Sequence, residues 1–116
     1  MNARVVRFGM NRPKFGNTKT IRNGQIFDSK REANRYEALK LLEANGEVRD
    51  IKRQVKYVMI VNGVRIATWK ADFVYEELRK GEWKEVVEDS KGYPNDRWPM
   101  KKKLMRACHG IIVRET

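Results

Sequence analysis

The longest alternation of apolar and polar positions runs from Val64 to Tyr75, where Ala67, Trp69, Ala71, Phe73 and Tyr75 recur two apart. Residues two apart on a strand share a face. The segment is therefore expected as one long strand with those five side chains together. Gln54 to Val61 and Trp83 to Lys91 read as further strands, and Val48 to Ile51 as a short extended piece ahead of them. Asn62-Gly63 joins two of these strands, and Asn23-Gly24 joins Thr20–Arg22 to Gln25–Phe27. Asn-Gly suits a two-residue hairpin turn because both positions tolerate positive φ. Glu76 to Glu82, with Gly81, reads as a polar turn.

Two segments carry helix signals instead. Ser29-Lys30-Arg31-Glu32 has capping-box spacing, in which the serine hydroxyl takes the Glu32 amide and the glutamate reaches back to the Ser29 backbone. The helix is expected to run to about Asn45, with Gly46 as its C′ residue. At about 100° per residue, Glu32 falls on the inward face with Tyr36 and Leu39, while Glu37 points out. A second helix is expected from Trp98 to about Cys108, with Pro99 in its first turn, Gly110 as its stop and Ile111–Val113 as a final strand. The order helix, three strands, helix, strand predicts an α/β (α+β) fold with a mixed sheet flanked by helices. The last strand–helix–strand supplies a right-handed crossover. Residues 20–116 are expected as a single domain. Residues 1–19 carry Arg4, Arg7, Arg12, Lys14 and Lys19 with no acid, and read as a mobile basic arm.

Charge narrows the function. Of 116 residues, 26 are Lys or Arg and 15 are Asp or Glu, a net charge of +11. Such an excess favours a polyanionic partner. No basic helix has the bulky apolar face of a membrane-surface segment, so DNA is the expected partner and a membrane is not. The amino terminus has no apolar core of a secretory signal. The single Cys108 excludes an internal disulfide and a Cys-x-x-Cys zinc site. Cys108 and the neighbouring His109 are read as structural, and the expected setting is a reducing cytoplasm.

Candidate chemistry gathers at Val86-Val87-Glu88-Asp89-Ser90-Lys91-Gly92. Strand parity puts Asp89 and Lys91 on one face and Glu88 and Ser90 on the other. Taken alone, Asp89-x-Lys91 is equally a surface ion pair. Asp72 lies in an apolar stretch, where a carboxylate is costly without compensation. Hairpin pairing does not set it level with Asp89 unless the strand bends or the register is offset. Glu32 is either a capping residue or a third inward acid. Converging carboxylates repel and raise one another's pKa, and the ordinary reason to assemble them is a hard divalent cation such as Mg²⁺ or Mn²⁺. Next to such an ion, a lysine can stabilise a phosphodiester under attack.

These residues, in this order, resemble the PD-(D/E)XK, or restriction-endonuclease-like, nucleases. More closely, four blocks resemble the phage and prophage DUF1064 group. They are Gly16-Asn17-Thr18-Lys19 with Phe27 to Tyr36, Ala71 to Tyr75, Val86 to Gly92, and the lysine-rich Lys101 to Met105. The resemblance implies an αβββαβ core and a divalent-metal-dependent DNA endonuclease of a phage or prophage in the bacterial cytoplasm, acting on branched or junction DNA as a homodimer. It assigns Glu32, Asp72, Asp89 and Lys91 to catalysis, the three acids also to the metal. Ala71 stands where the superfamily's proline would be. Glu88 competes for the third acid, and parity with Lys91 favours Asp89. Gln54 sits where the group often has a glutamine and is otherwise read as a solvated strand residue. DNA contacts are expected from Arg4, Arg7, Arg12 and Lys14 of the arm and from Lys101, Lys102, Lys103 and Arg106 of the second helix. Trp98 is read as core. The alternatives are a non-catalytic nucleic-acid-binding module and a phage structural DNA-binding protein.

Overall fold

The computed structural model describes residues 19–90 and 98–116. Arg4, Arg7, Arg12, Lys14, Lys91 and Arg97 lie outside the described residues. The elements are β1 (Thr20–Arg22), β2 (Gln25–Phe27), α1 (Lys30–Ala44), β3 (Val48–Val61), β4 (Val64–Arg79), β5 (Glu82–Asp89), α2 (Trp98–His109) and β6 (Arg114–Glu115). From α1 onward the order is αβββαβ, as expected. β1 and β2 form a small antiparallel sheet, and the main sheet has the order β3-β4-β5-β6. Its first two pairings are antiparallel and the β5–β6 pairing is parallel. Among the described residues, no helix is long and apolar enough to cross a membrane.

Local sequence explains the turns. Asn23-Gly24 and Asn62-Gly63 both take positive φ at both positions, as the hairpin reading requires. α1 closes with Gly46 at φ +78, its N–H on the Glu43 carbonyl and the Glu47 N–H on the Leu42 carbonyl. This double bond pattern satisfies carbonyls the helix leaves open. The third hairpin differs from the expected long turn. β4 runs on to Arg79, and Lys80-Gly81, at φ +50 and +80, makes a two-residue turn. The charged residues Glu76, Glu77 and Arg79 sit within strand because Arg49 bonds Glu76 across the pair, and Glu77 is bonded by both Arg114 and Arg79. The last strand is Arg114–Glu115, not Ile111–Val113. Ile111 and Val113 pack beneath α2, and pairing begins only once the chain reaches the end of β5.

The largest departure concerns the faces of the sheet. Ala67, Trp69 and Ala71 pack with Met105 of α2, whereas Phe73 and Tyr75 pack with Leu39 of α1. The five residues do not share a face. β3 changes face at the same level, with Val55 on the α2 side and Arg53 over the Phe27 ring on the α1 side. Register pairs Arg53 with Phe73 and Val55 with Ala71, which sets Gln54 against Asp72 at the reversal. Gln54 has φ +55. A non-glycine residue in this region is uncommon, and here it turns the strand so that both helices find an apolar face. The separate pieces expected at 48–51 and 54–61 thereby become one irregular strand.

A buried polar cluster fastens α1 to the sheet. Arg35 donates from Nε and Nη2 to the two oxygens of Glu88, at 2.7 and 3.0 Å. The Tyr75 hydroxyl and Thr116 Oγ1 also donate to Glu88. Burial first, and then its bond to Glu88, push the Tyr75 hydroxyl up to about 12. Glu88 is fully buried. Removing one partner of such a pair leaves an uncompensated charge, so Glu88→Ala is expected to destabilise by about 3 kcal/mol. Urea denaturation checks this, and a loss below about 0.5 kcal/mol, the size of an ordinary surface change, contradicts it.

Candidate metal centre

The chain reaches the site through β2. Phe27 is buried beneath Arg53, whose guanidinium lies 3.9 Å from the ring centroid and donates to the Gln25 side chain and the Ile26 carbonyl. This pins the strand end, so Asp28 and Ser29 enter α1 in fixed positions. Ser29 Oγ accepts the Glu32 N–H at 3.1 Å, half of the expected capping box. The other half shifts by one residue, because Glu32 Oε1 accepts from the Asp28 N–H, at 3.0 Å, and not from Ser29. The capping bond uses one carboxylate oxygen and leaves Oε2 turned towards the sheet.

That oxygen meets Gln54. Gln54 Nε2 donates to Glu32 Oε2 at 2.7 Å and lies 3.3 Å from Asp72 Oδ1. Gln54 is thus a half-buried bridge between two acids, not a solvated strand residue. The opposite oxygen of Asp72 accepts from the Ser90 N–H at 2.9 Å and from Ser90 Oγ at 3.2 Å. Glu32, Asp72 and Ser90 are each at most 1% exposed. One oxygen from each of Asp28, Glu32 and Asp72 lies within 4.8 Å of the others. Lys19 Nζ lies 2.9 Å from Asp28 Oδ1 at the exposed edge of this group, and Arg53 Nη2 lies 3.8 Å from Glu32 Oε2. Burial first, and repulsion by Asp72 second, push the Glu32 carboxyl above its ordinary 4.5, while the Asp28 N–H pulls the other way.

Of the residues expected at the site, Glu32 and Asp72 come together. Asp89 is buried at the end of β5. The pairing of β4 with β5 ends at Phe73 with Glu88, so Asp72 and Asp89 each lie one residue beyond the last pair. Asp89 is not one of the three acids within 4.8 Å, and Lys91 lies outside the described residues. Glu88 is excluded as a ligand by the bonds it already makes to Arg35, Tyr75 and Thr116. Asp28 and Ser90 were not anticipated. An acid directly before the capping serine was visible for Asp28, whereas nothing in the alternation points Ser90 at Asp72.

On α2, Lys102 is bound to Glu115 at 2.6 Å, so it is not a free cation. Lys103 and Arg106 are exposed, and Lys101 is half-buried. Trp98 packs on Trp69, with ring centroids 5.0 Å apart, and donates to Glu115. His109 Nε2 lies 2.9 Å from the Val58 carbonyl, and Cys108 Sγ lies 3.6 Å from the Ile60 carbonyl, both consistent with structural roles.

Three carboxylates with hard oxygen donors and no sulfur or imidazole among them could hold a hard divalent cation. Because the folded-state pKa of Glu32 is raised, the metal-free protein is favoured below pH 4.5. That contribution is lost as pH rises through the folded value. Asp72→Asn removes the repulsion, so it is expected to raise the metal-free melting temperature at neutral pH. Mn²⁺ is expected to raise the melting temperature of the wild type and not that of Asp72→Asn. Thermal melts with and without Mn²⁺ check both, and equal Mn²⁺ stabilisation of the two proteins contradicts the assignment.

No curated protein and no solved structure matches the chain. A family described as a protein of unknown function, DUF1064, matches over residues 12–112, which span α1, the whole β3–β5 meander and α2. The chain belongs to the DUF1064 family.

Proposed function

We propose that the protein is a divalent-metal-dependent DNA endonuclease of the PD-(D/E)XK type. The observation that carries this reading is the convergence of Glu32 and Asp72, fully buried, from a helix and a strand far apart in sequence. Buried carboxylates are costly unless compensated, and those of Glu32 and Asp72 are met chiefly by amide and hydroxyl donors. Glu88, by contrast, is matched by a bidentate arginine. The net charge of +11 supports a polyanionic substrate.

In this reading Asp72 and Glu32 hold Mg²⁺ or Mn²⁺, with Asp89 and Asp28 at its margins. The bound cation would supply charge neutralisation at the phosphodiester and a more acidic water. Gln54 keeps the two acids apart and oriented, and Ser90 fixes the rotation of Asp72. Lys91, one residue beyond Ser90, is assigned to stabilising charge on the phosphate. The basic residues of the arm and of α2 would contact DNA through its phosphates, which gives affinity without sequence choice.

Purified protein is expected to cut supercoiled plasmid or a synthetic four-way junction in Mg²⁺ or Mn²⁺ and not in EDTA. Asp72→Ala and Lys91→Ala are each expected to lower the rate on the order of 10²-fold or more. Tight binding without cutting in either metal would favour a non-catalytic binding module instead. Paired cuts in a junction need two sites, so a homodimer is proposed as the working unit. Sedimentation is expected to show a dimer on junction DNA, and a strict monomer there contradicts paired cutting.

A further inference from the structure

β3 and β4 continue past the N-terminus of α1, and there Lys56 stands directly opposite Lys70 in the antiparallel register. Both side chains are exposed. Like charges directly opposite one another on neighbouring strands are destabilising. Among the described residues neither lysine has a hydrogen-bond or ion-pair partner, whereas Lys19, Lys40, Lys84 and Lys102 each lie against a carboxylate. The fold itself therefore gives no reason for the pair.

Their face is set by their neighbours. Val55, Tyr57, Trp69 and Ala71 pack on the α2 side, so Lys56 and Lys70 between them lie on the opposite side. That is the side on which α1 presents Glu32. Lys56 is two residues beyond Gln54, and Lys70 is two residues before Asp72. Two strand residues span about 6.6 Å, well within the reach of a lysine. The unpaired cations of α2, by contrast, belong to a helix packed on the other face.

A polyanion approaching three carboxylates is repelled unless cations stand beside its path. Phosphates recur about every 3.4 Å along each strand of a duplex, so a strand at the acids carries further phosphates within reach of this pair. We propose that Lys56 and Lys70 form a phosphate clamp that holds a nucleic-acid backbone beside the acidic site. The inference rests on the nuclease reading above and names the surface that the substrate strand follows.

The test is the salt dependence of binding to a labelled DNA duplex, measured by fluorescence anisotropy with Ca²⁺ in place of Mg²⁺. The wild type is compared with the Lys56→Gln/Lys70→Gln double variant and with Lys101→Gln/Lys103→Gln, which removes the same charge from α2. Each lost phosphate contact lowers the slope of log K against log salt by about 0.9. The clamp variant is expected to lose about 1.8, whatever part α2 contributes, with Mn²⁺ stabilisation unchanged in both variants. An unchanged slope in the clamp variant overturns the clamp while leaving the nuclease reading intact. Failure of the wild type to bind or cut any DNA overturns both. Loss of binding to anionic phospholipid vesicles, with DNA binding retained, would reassign the pair to a membrane surface.

Discussion

The structure turns on the bridge that Gln54 makes between Glu32 and Asp72. A non-glycine residue at positive φ costs on the order of 1–3 kcal/mol and persists only where its surroundings over-determine it. Here β4 holds the flanking residues in register, and the side-chain amide is held by a helix acid and a strand acid. The same backbone reversal does two jobs. It gives α1 and α2 opposite apolar faces of one sheet, and it aims the residues at the reversal into the gap where α1 begins. The site and the core are thus consequences of one local distortion.

Three buried acids, Glu88, Glu32 and Asp72, meet different fates. Glu88 is enclosed by Arg35, Tyr75 and Thr116, which satisfy both oxygens and tie α1, β4, β5 and the end of the chain together. Arg114 extends the cluster by bonding Tyr75 and Glu77, and that arginine bond first of all draws the Glu77 carboxyl down to about 2. Among the described residues, Glu32 and Asp72 have no comparable cation. Arg35 lies one turn from Glu32 on α1, so the fastening also fixes the helix that delivers the acid. α1 thus meets a charge-matched carboxylate, Glu88, one turn along from the charge-poor pair of Glu32 and Asp72.

The sequence was most legible where the physics is local. The Asn-Gly turns, the Ser29 cap and the Gly46 stop depend on a few adjacent residues, and each is found where it was read. The order αβββαβ followed from them. Glu32 was legible because helical periodicity turns it inward, and Asp72 because a carboxylate in an apolar strand needs a reason. The face reversal was not legible, because alternation assumes an unbroken pleat and nothing in Lys-Arg-Gln-Val-Lys-Tyr marks Gln54 as left-handed. With it went the separation of Phe73 and Tyr75 from Trp69 and the inward turn of Gln54 itself. The charge of the chain predicted a polyanion, but its distribution between two faces of the sheet is a property of the register alone.

The central claim is that Glu32 and Asp72 are held together as ligands. The measurement that tests it most directly is anomalous diffraction from crystals of the protein grown or soaked with Mn²⁺. A single strong anomalous peak at bonding distance from Glu32 Oε2 and an Asp72 carboxylate oxygen, with Gln54 displaced from at least one of them, is the expected result. A map with no peak there, and with the Gln54 bonds to both acids intact at saturating Mn²⁺, would contradict the account and leave the acids as a hydrogen-bonded structural cluster.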